Sequence, residues 1–361
     1  MPERMNSVER TYTVVHGGIP DRVPVDLHNF MMTAQASGMP FPEYFKNGEA
    51  MAEGQMRAWR EFGHDVLILE NGTAALAEAC GCEIEYMDNT APVCHGPAIR
   101  SLDEIDKLKV PDPYTAFPLN ENLKTTRIVA NEIGKQAFII GRADQGPFSL
   151  AAMLLGMEQF LLQLSVADAT RGRRPNPKAE ETAAKLHRLL EFALQVTTRY
   201  AYAQIEQGAH ATSIGESLSG PDVCSPRTYK MFEWAYAKKM VEQLQSDNIL
   251  LAYHICGNAT AIVPDMVATG AGILELDYKV DMPVVKQATA GRTTILGPVD
   301  PSGVLALGDP DLVDRKSKEA IEVLGRDGGL ILGPGCALPP ATPPENIHAL
   351  VEAAKKYGMY Q

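Results

Sequence analysis

A chain of 361 residues that is 45% apolar and 22% charged has the balance of a folded globular protein, with room for one large core or two ordinary ones. Its net charge of −12 comes without any basic stripe, so nucleic acid is not an expected partner, because phosphate affinity needs clustered Lys and Arg. No apolar run approaches the roughly 20 residues of a membrane span, the first residues lack the apolar core of a signal peptide, and six cysteines are too sparse for a disulfide framework; a cytoplasmic protein with reduced thiols is expected.

Short apolar runs alternate with long helical patterns along the chain. A strand is expected at Val23-Pro24-Val25-Asp26-Leu27, then a helix over 49–62, a strand over 65–70 and a short helix ending at Ala79. The stretch from about 80 to 115 breaks the rhythm, with Cys82-Glu83-Ile84-Glu85-Tyr86 alternating like a half-exposed strand. A helix over 120–133 leads into a strand over 137–141, and another helix begins near Phe148. The densest basic run, Arg171-Gly172-Arg173-Arg174, sits among prolines and reads as a solvated loop, after which a long helix covers 179–207. Further strands are expected over 211–215, 249–253, 272–276, 294–296 and 329–332. Between and after them lie helices over 226–245, 261–268, 282–288, 309–324 and 344–357, with Pro226, Pro283 and Pro344 where a first helical turn tolerates proline.

Apolar strands buried on both faces and linked by helices mean a parallel sheet. Eight strand–helix units favour an α/β fold of the closed (β/α)₈ TIM-barrel type, one domain over 1–361 with the irregular insertion, over an open doubly wound sheet. No Gly-x-Gly-x-x-Gly stands between a strand and a helix, which weakens a dinucleotide-binding reading. In a barrel the strand ends gather on one rim, where active sites lie.

Two strand ends carry unusual chemistry: His254-Ile255-Cys256-Gly257, and Gly333-Pro334-Gly335-Cys336. A histidine ending a strand is more often a hydrogen-bonded core residue than a ligand. The cysteine two positions on, and the second thiol on a tight turn, shift the reading to metal: one imidazole and two thiols form a zinc set with its fourth position open. Cys80, Cys82, Cys94 and Cys224 lack such company and read as small buried hydrophobes. Glu70, Asp144, Glu216, Asp277 and Asp300 also fall at strand ends, where each alternatively caps the helix that follows. Glu216 and Asp277 are the catalytic candidates. Glu216, beside the strand of His254, is either a displaceable fourth ligand or a partner that orients the imidazole. Phe30, Met31 and Met32 after the first strand, with Arg142 and Tyr253, are expected to line the small-molecule pocket, two thioethers and an aromatic ring suiting an apolar ligand.

The stretches Asp21-Arg22-Val23-Pro24-Val25, Gly146-Pro147-Phe148-Ser149-Leu150-Ala151, His254-Ile255-Cys256-Gly257, Leu296-Gly297-Pro298-Val299-Asp300-Pro301 and Gly335-Cys336 resemble the uroporphyrinogen decarboxylase superfamily. Within it they are most similar to the zinc methyltransferases that work with corrinoid proteins. The resemblance implies a (β/α)₈ barrel and methyl transfer between methylcobalamin, or another corrinoid carried by a separate protein, and a small molecule held at zinc. That molecule is either a thiol acceptor such as coenzyme M, or tetrahydrofolate, or an aryl methyl ether donor. The decarboxylase branch has an arginine-rich signature after the first strand. Here His28-Asn29-Phe30-Met31-Met32-Thr33 holds no arginine, which argues against decarboxylation of a polycarboxylate, the alternative function for such a barrel.

Overall fold

The computed structural model describes residues 3–168 and 176–360; the basic run at 171–174 lies outside them. Among the described residues nine strands are formed: β1 Val66–Leu69, β2 Glu83–Glu85, β3 Val93–Gly96, β4 Phe138–Gln145, β5 Ala211–Gly215, β6 Leu251–Ile255, β7 Ile273–Leu276, β8 Thr294–Val299 and β9 Leu330–Pro334. Seven of them make one sheet in the order β1-β4-β5-β6-β7-β8-β9, every pairing parallel. Helices connect them, as parallel pairing requires.

Alternate residues of each strand face opposite ways. One set, including Ile68, Ile140, Ala211, Ala252, Ile273, Leu296 and Ile331, forms a single cluster with a member from each of the seven strands, so the sheet curls around an inner core. The other set, including Tyr253, Ile255, Leu274 and Leu276, packs against helices such as Pro177–Glu206 and Trp234–Ser246.

The eighth expected strand, 23–27, is reduced. Val25 bridges Leu332 and Asp26 bridges Val66, each in parallel sense, so the segment lies between the two edge strands β9 and β1 without forming a full ladder. Pro24 has no N–H to give, although its carbonyl accepts from Leu332 at 2.8 Å, and the backbone turns left-handed at His28 (φ +43°), ending the extended run. Arg10 and Arg22 brace this segment from below. Both ion-pair with Asp65, and Arg10 also pairs with Asp21, all four side chains being buried.

The half-exposed strand expected near 82–86 forms as β2, and it pairs antiparallel with β3 in a hairpin of its own. One expected element is corrected. The helix over 226–245 is two helices, Pro226–Phe232 and Trp234–Ser246, broken at Glu233. Among the described residues no single helix is long and apolar enough to cross a membrane.

Candidate metal centre

His254 lies inside β6 rather than after it. Since Ala252 belongs to the inner core, the period of two turns His254 inward as well. Its Nδ1 lies 3.1 Å from the Glu275 carbonyl oxygen, an acceptor only, so Nδ1 carries the proton and Nε2 presents its lone pair. Nε2 stands 3.1 Å from Cys256 Sγ, and one ligand atom each from His254, Cys256 and Cys336 all fall within 4.8 Å of one another. Among the described residues this is the one group of three or more metal-ligating side chains.

The two turns that present the thiols are built from close backbone approach. Gly257 sits at φ +81°, and a Cβ there would collide with the Asp222 carboxylate. Asp277 accepts from the N–H of Gly257 at 2.9 Å and of Lys279 at 3.1 Å, pinning this turn to the end of β7. Gly335 lies so close to that same end that a Cβ would stand 2.7 Å from the Tyr278 nitrogen and 2.9 Å from Asp277 Cα. Cys336 is thereby carried over from β9 towards the end of β6.

Beneath the thiols lies a buried lattice of alternating charge. Glu275 Oε2 is 3.7 Å from His254 Nδ1 and accepts from Arg142 Nη1 at 3.0 Å, while its Oε1 is 2.8 Å from His28 Nδ1. Glu70 Oε2 is 3.1 Å from His28 Nε2 and 3.4 Å from Arg142 Nε. Burial alone would raise the Glu275 carboxyl, but the facing His254, His28 and Arg142 side chains outweigh it and hold the group well below the usual carboxylate range. Burial likewise opposes a charge on His28, yet Glu275 and Glu70 raise it well above the ordinary imidazole value. The hydrogen bond shared with Cys336 holds the Cys256 thiol below its ordinary range, against burial and with help from Ser217.

The remaining candidates are placed as follows. Glu216 is fully buried, but its carboxylate accepts from the N–H groups of Phe148 at 2.9 Å and Ser149 at 2.8 Å, at the start of the helix Pro147–Leu155. The acid facing the imidazole is Glu275, which sequence reasoning missed; a lone acid inside Ile273-Leu274-Glu275-Leu276 was the available signal. Asp277 braces the cysteine turn, Asp300 caps the turn that follows it through Ser302 and Gly303, and Asp144 accepts from Leu76. Arg142 does lie in the site, on a strand that ends four residues later than expected, but two carboxylates already engage it.

Phe30, Met31 and Met32 are corrected from a rim loop to the first turn of a helix, Phe30–Ser37, so three successive residues point three ways. Phe30 is buried against Phe45, and Met32 lines a small outer cavity with Arg57 and Pro344. Half-buried Met31 packs in the same patch as Ala337, the neighbour of Cys336. Tyr253 is also corrected. Adjacent to the inward His254, it must face the helices, and its hydroxyl donates to Glu233 at 2.5 Å. Tyr253→Phe is therefore expected to cost about 1–3 kcal/mol in a denaturant melt by stripping a buried acid of its donor, with metal content unchanged. Metal loss in a folded variant would count against this placement.

The fold and the site together define an α/β protein with three side chains able to hold a metal at the carboxyl ends of a curled parallel sheet, the place where such folds carry their chemistry. The chain belongs to the uroporphyrinogen decarboxylase (URO-D) family, whose profile matches residues 6–357. It is 28% identical to a methylcobamide:CoM methyltransferase, MtbA, of Methanosarcina acetivorans, with 97% of each chain covered. It is 29% identical to a methylcobamide:CoM methyltransferase, MtaA, of Methanosarcina barkeri, over 96% of this chain and 97% of that one. The solved structure of a methyltransferase from Methanosarcina mazei superposes with a TM-score of 0.86 at 26% identity, covering 98% of this chain and 99% of that chain.

Proposed function

We propose that this chain is a zinc-dependent methyltransferase that moves a methyl group between a corrinoid carried by a separate protein and a small molecule. The observation that carries the reading is the convergence of one imidazole and two thiols at the carboxyl ends of β6 and β9, a set with zinc-ligand chemistry and room for one further ligand. The names of the two methanogen relatives support the corrinoid half of the reaction. Zinc held by His254, Cys256 and Cys336 would act as a Lewis acid on the small molecule, lowering a thiol's pKa or polarising an ether oxygen. Nδ1 of His254 stays protonated on the Glu275 carbonyl, so Nε2 remains available for the metal. The same reading takes the sheet as a closed (β/α)₈ barrel, its eighth unit being the segment of Val25 and Asp26 that bridges both edge strands. It also places the enzyme in the cytoplasm, where its thiols stay reduced.

Two small-molecule classes have support. The relatives' names favour a thiol, CoM. The engagement of Arg142 by Glu70 and Glu275 favours an uncharged aryl methyl ether, since the guanidinium has little charge to spare for a sulfonate. The same neutralisation, with no arginine in 28–33, speaks against a polycarboxylate substrate and so against decarboxylation. The test is zinc content after dialysis, followed by incubation with methylcobalamin and 2-mercaptoethanesulfonate, or with cob(I)alamin and a methoxyphenol, watched through the cobalamin spectrum. One zinc per chain and a spectral change in one arm are expected. A folded, metal-free and inactive protein would overturn the reading.

A further inference from the structure

His28 has no part in the reaction above, yet its geometry ties it to both segments that deliver the candidate ligands. It is buried, and its backbone lies in the left-handed region at φ +43°, which a residue with a side chain adopts only when its surroundings demand it. Both ring nitrogens face carboxylates, Nδ1 towards Glu275 at 2.8 Å and Nε2 towards Glu70 at 3.1 Å, so both donate and the ring is held at two points. Glu275 is the direct cross-strand partner of His254 on β7, with its other oxygen 3.7 Å from the His254 ring. The main chain of His28 reaches the other way. Its carbonyl accepts the N–H of Leu338 at 3.0 Å, two residues past Cys336, and Leu338 is fully buried. The side chain thus grips the strand neighbouring the histidine ligand, and the backbone grips the loop of the distal cysteine.

We propose that His28 is a positioning residue that sets the distance between the His254–Cys256 turn and the Cys336 loop, and so the affinity and geometry of the metal they hold. The proposal rests on the reading that His254, Cys256 and Cys336 bind a metal, and its test separates the two.

The full chain, stripped of metal and dialysed, is titrated with cobalt(II), whose visible bands report ligand geometry and thiolate coordination. His28→Gly suits the left-handed backbone but removes both ring contacts; His28→Asn tolerates the same backbone and keeps one short donor. Cobalt affinity is expected to fall by about 10–100-fold in His28→Gly, in the range seen when a partner of a ligand is lost, with a smaller fall in His28→Asn and shifted visible bands in both. A residue that served stability alone would lower the melting temperature and leave the bands in place. Folded variants with wild-type affinity and spectrum would overturn the proposal. Should neither variant be recovered folded, Glu70→Gln keeps His28 while weakening its far anchor; a several-fold loss of cobalt affinity is expected there, and no loss would overturn the proposal equally. A wild-type chain that takes up no cobalt sinks the metal reading and this inference with it, whereas wild-type behaviour in the variants sinks the inference only.

Discussion

Cys336→Ala and Cys256→Ala are each expected to weaken zinc binding by more than about 100-fold and to abolish methyl transfer, while the sheet stays folded. Losing a partner that merely orients a ligand typically costs 10–100-fold, and losing one of three protein ligands costs more. The fold should survive because both thiols are only half-buried, on turns beyond the ladders that hold β6 and β9 in the sheet. The deletions do not merely open holes in the core: Cys82 and Cys224 are the buried thiols, and Cys82→Ala or Cys224→Ala should lower stability modestly with full metal content. Elemental analysis after dialysis, paired with a competing chelator, makes the comparison. Full zinc occupancy in both ligand variants would end the metal assignment.

Asp65→Ala is expected to destabilise the chain by about 3–5 kcal/mol, the usual result of removing one partner from a buried ion cluster. Asp65 is fully buried and accepts from Arg10 Nη1 at 2.6 Å, Arg22 Nη1 at 2.6 Å and the Val25 N–H at 2.9 Å. Its removal leaves buried Arg22 with only the exposed Glu3 as an ion partner, leaves Arg10 to Asp21 alone among buried acids, and unties the short segment that bridges both edge strands. Glu3 cannot compensate, being 42% exposed and screened by solvent. The same cluster sets an acid limit. Burial alone would raise Asp65 and Asp21, but Arg22 and Arg10 hold Asp65 below its ordinary value, and Arg10 does so for Asp21. With folded values depressed, their contribution is complete above the ordinary carboxylate pKa of about 4 and is lost as pH falls through the folded values. Denaturant melts from pH 7 down to pH 3 should show the wild type losing stability in acid and Asp65→Ala losing less. Parallel pH profiles for the two would remove this account.

Much of the architecture was legible in local periodicity. Runs such as Phe138-Ile139-Ile140 and Leu330-Ile331-Leu332, apolar at every position, mark strands covered on both faces, and they stand where β4 and β9 are. Long amphipathic helices such as Pro177–Glu206 were equally plain, whereas the break at Glu233 and the short helix Phe30–Ser37 were not. Strand ends were not: β4 continues through Arg142 and Asp144, because charged residues are tolerated in a ladder when partners wait inside the sheet. The direction of Tyr253 was available in principle. Once His254 is taken as inward, its neighbour must point to the helices.

By itself the sequence determined the parallel α/β plan and the chemistry of three candidate ligand side chains, since burial pattern and residue type are local properties. Which groups meet was decided only by tertiary structure. His28 and Glu275 touch across 247 positions of sequence, and Arg142 and Glu275 across 133. Glu216 looked like the partner of His254 by strand order, yet the start of the neighbouring helix took its carboxylate, and Glu275 faced the imidazole instead. The physical reason is that a curling sheet brings alternate side chains of distant strands onto one interior. There each buried charge must find an opposite charge or a hydrogen bond, and the register of the whole sheet, not any short stretch of chain, selects which one it finds.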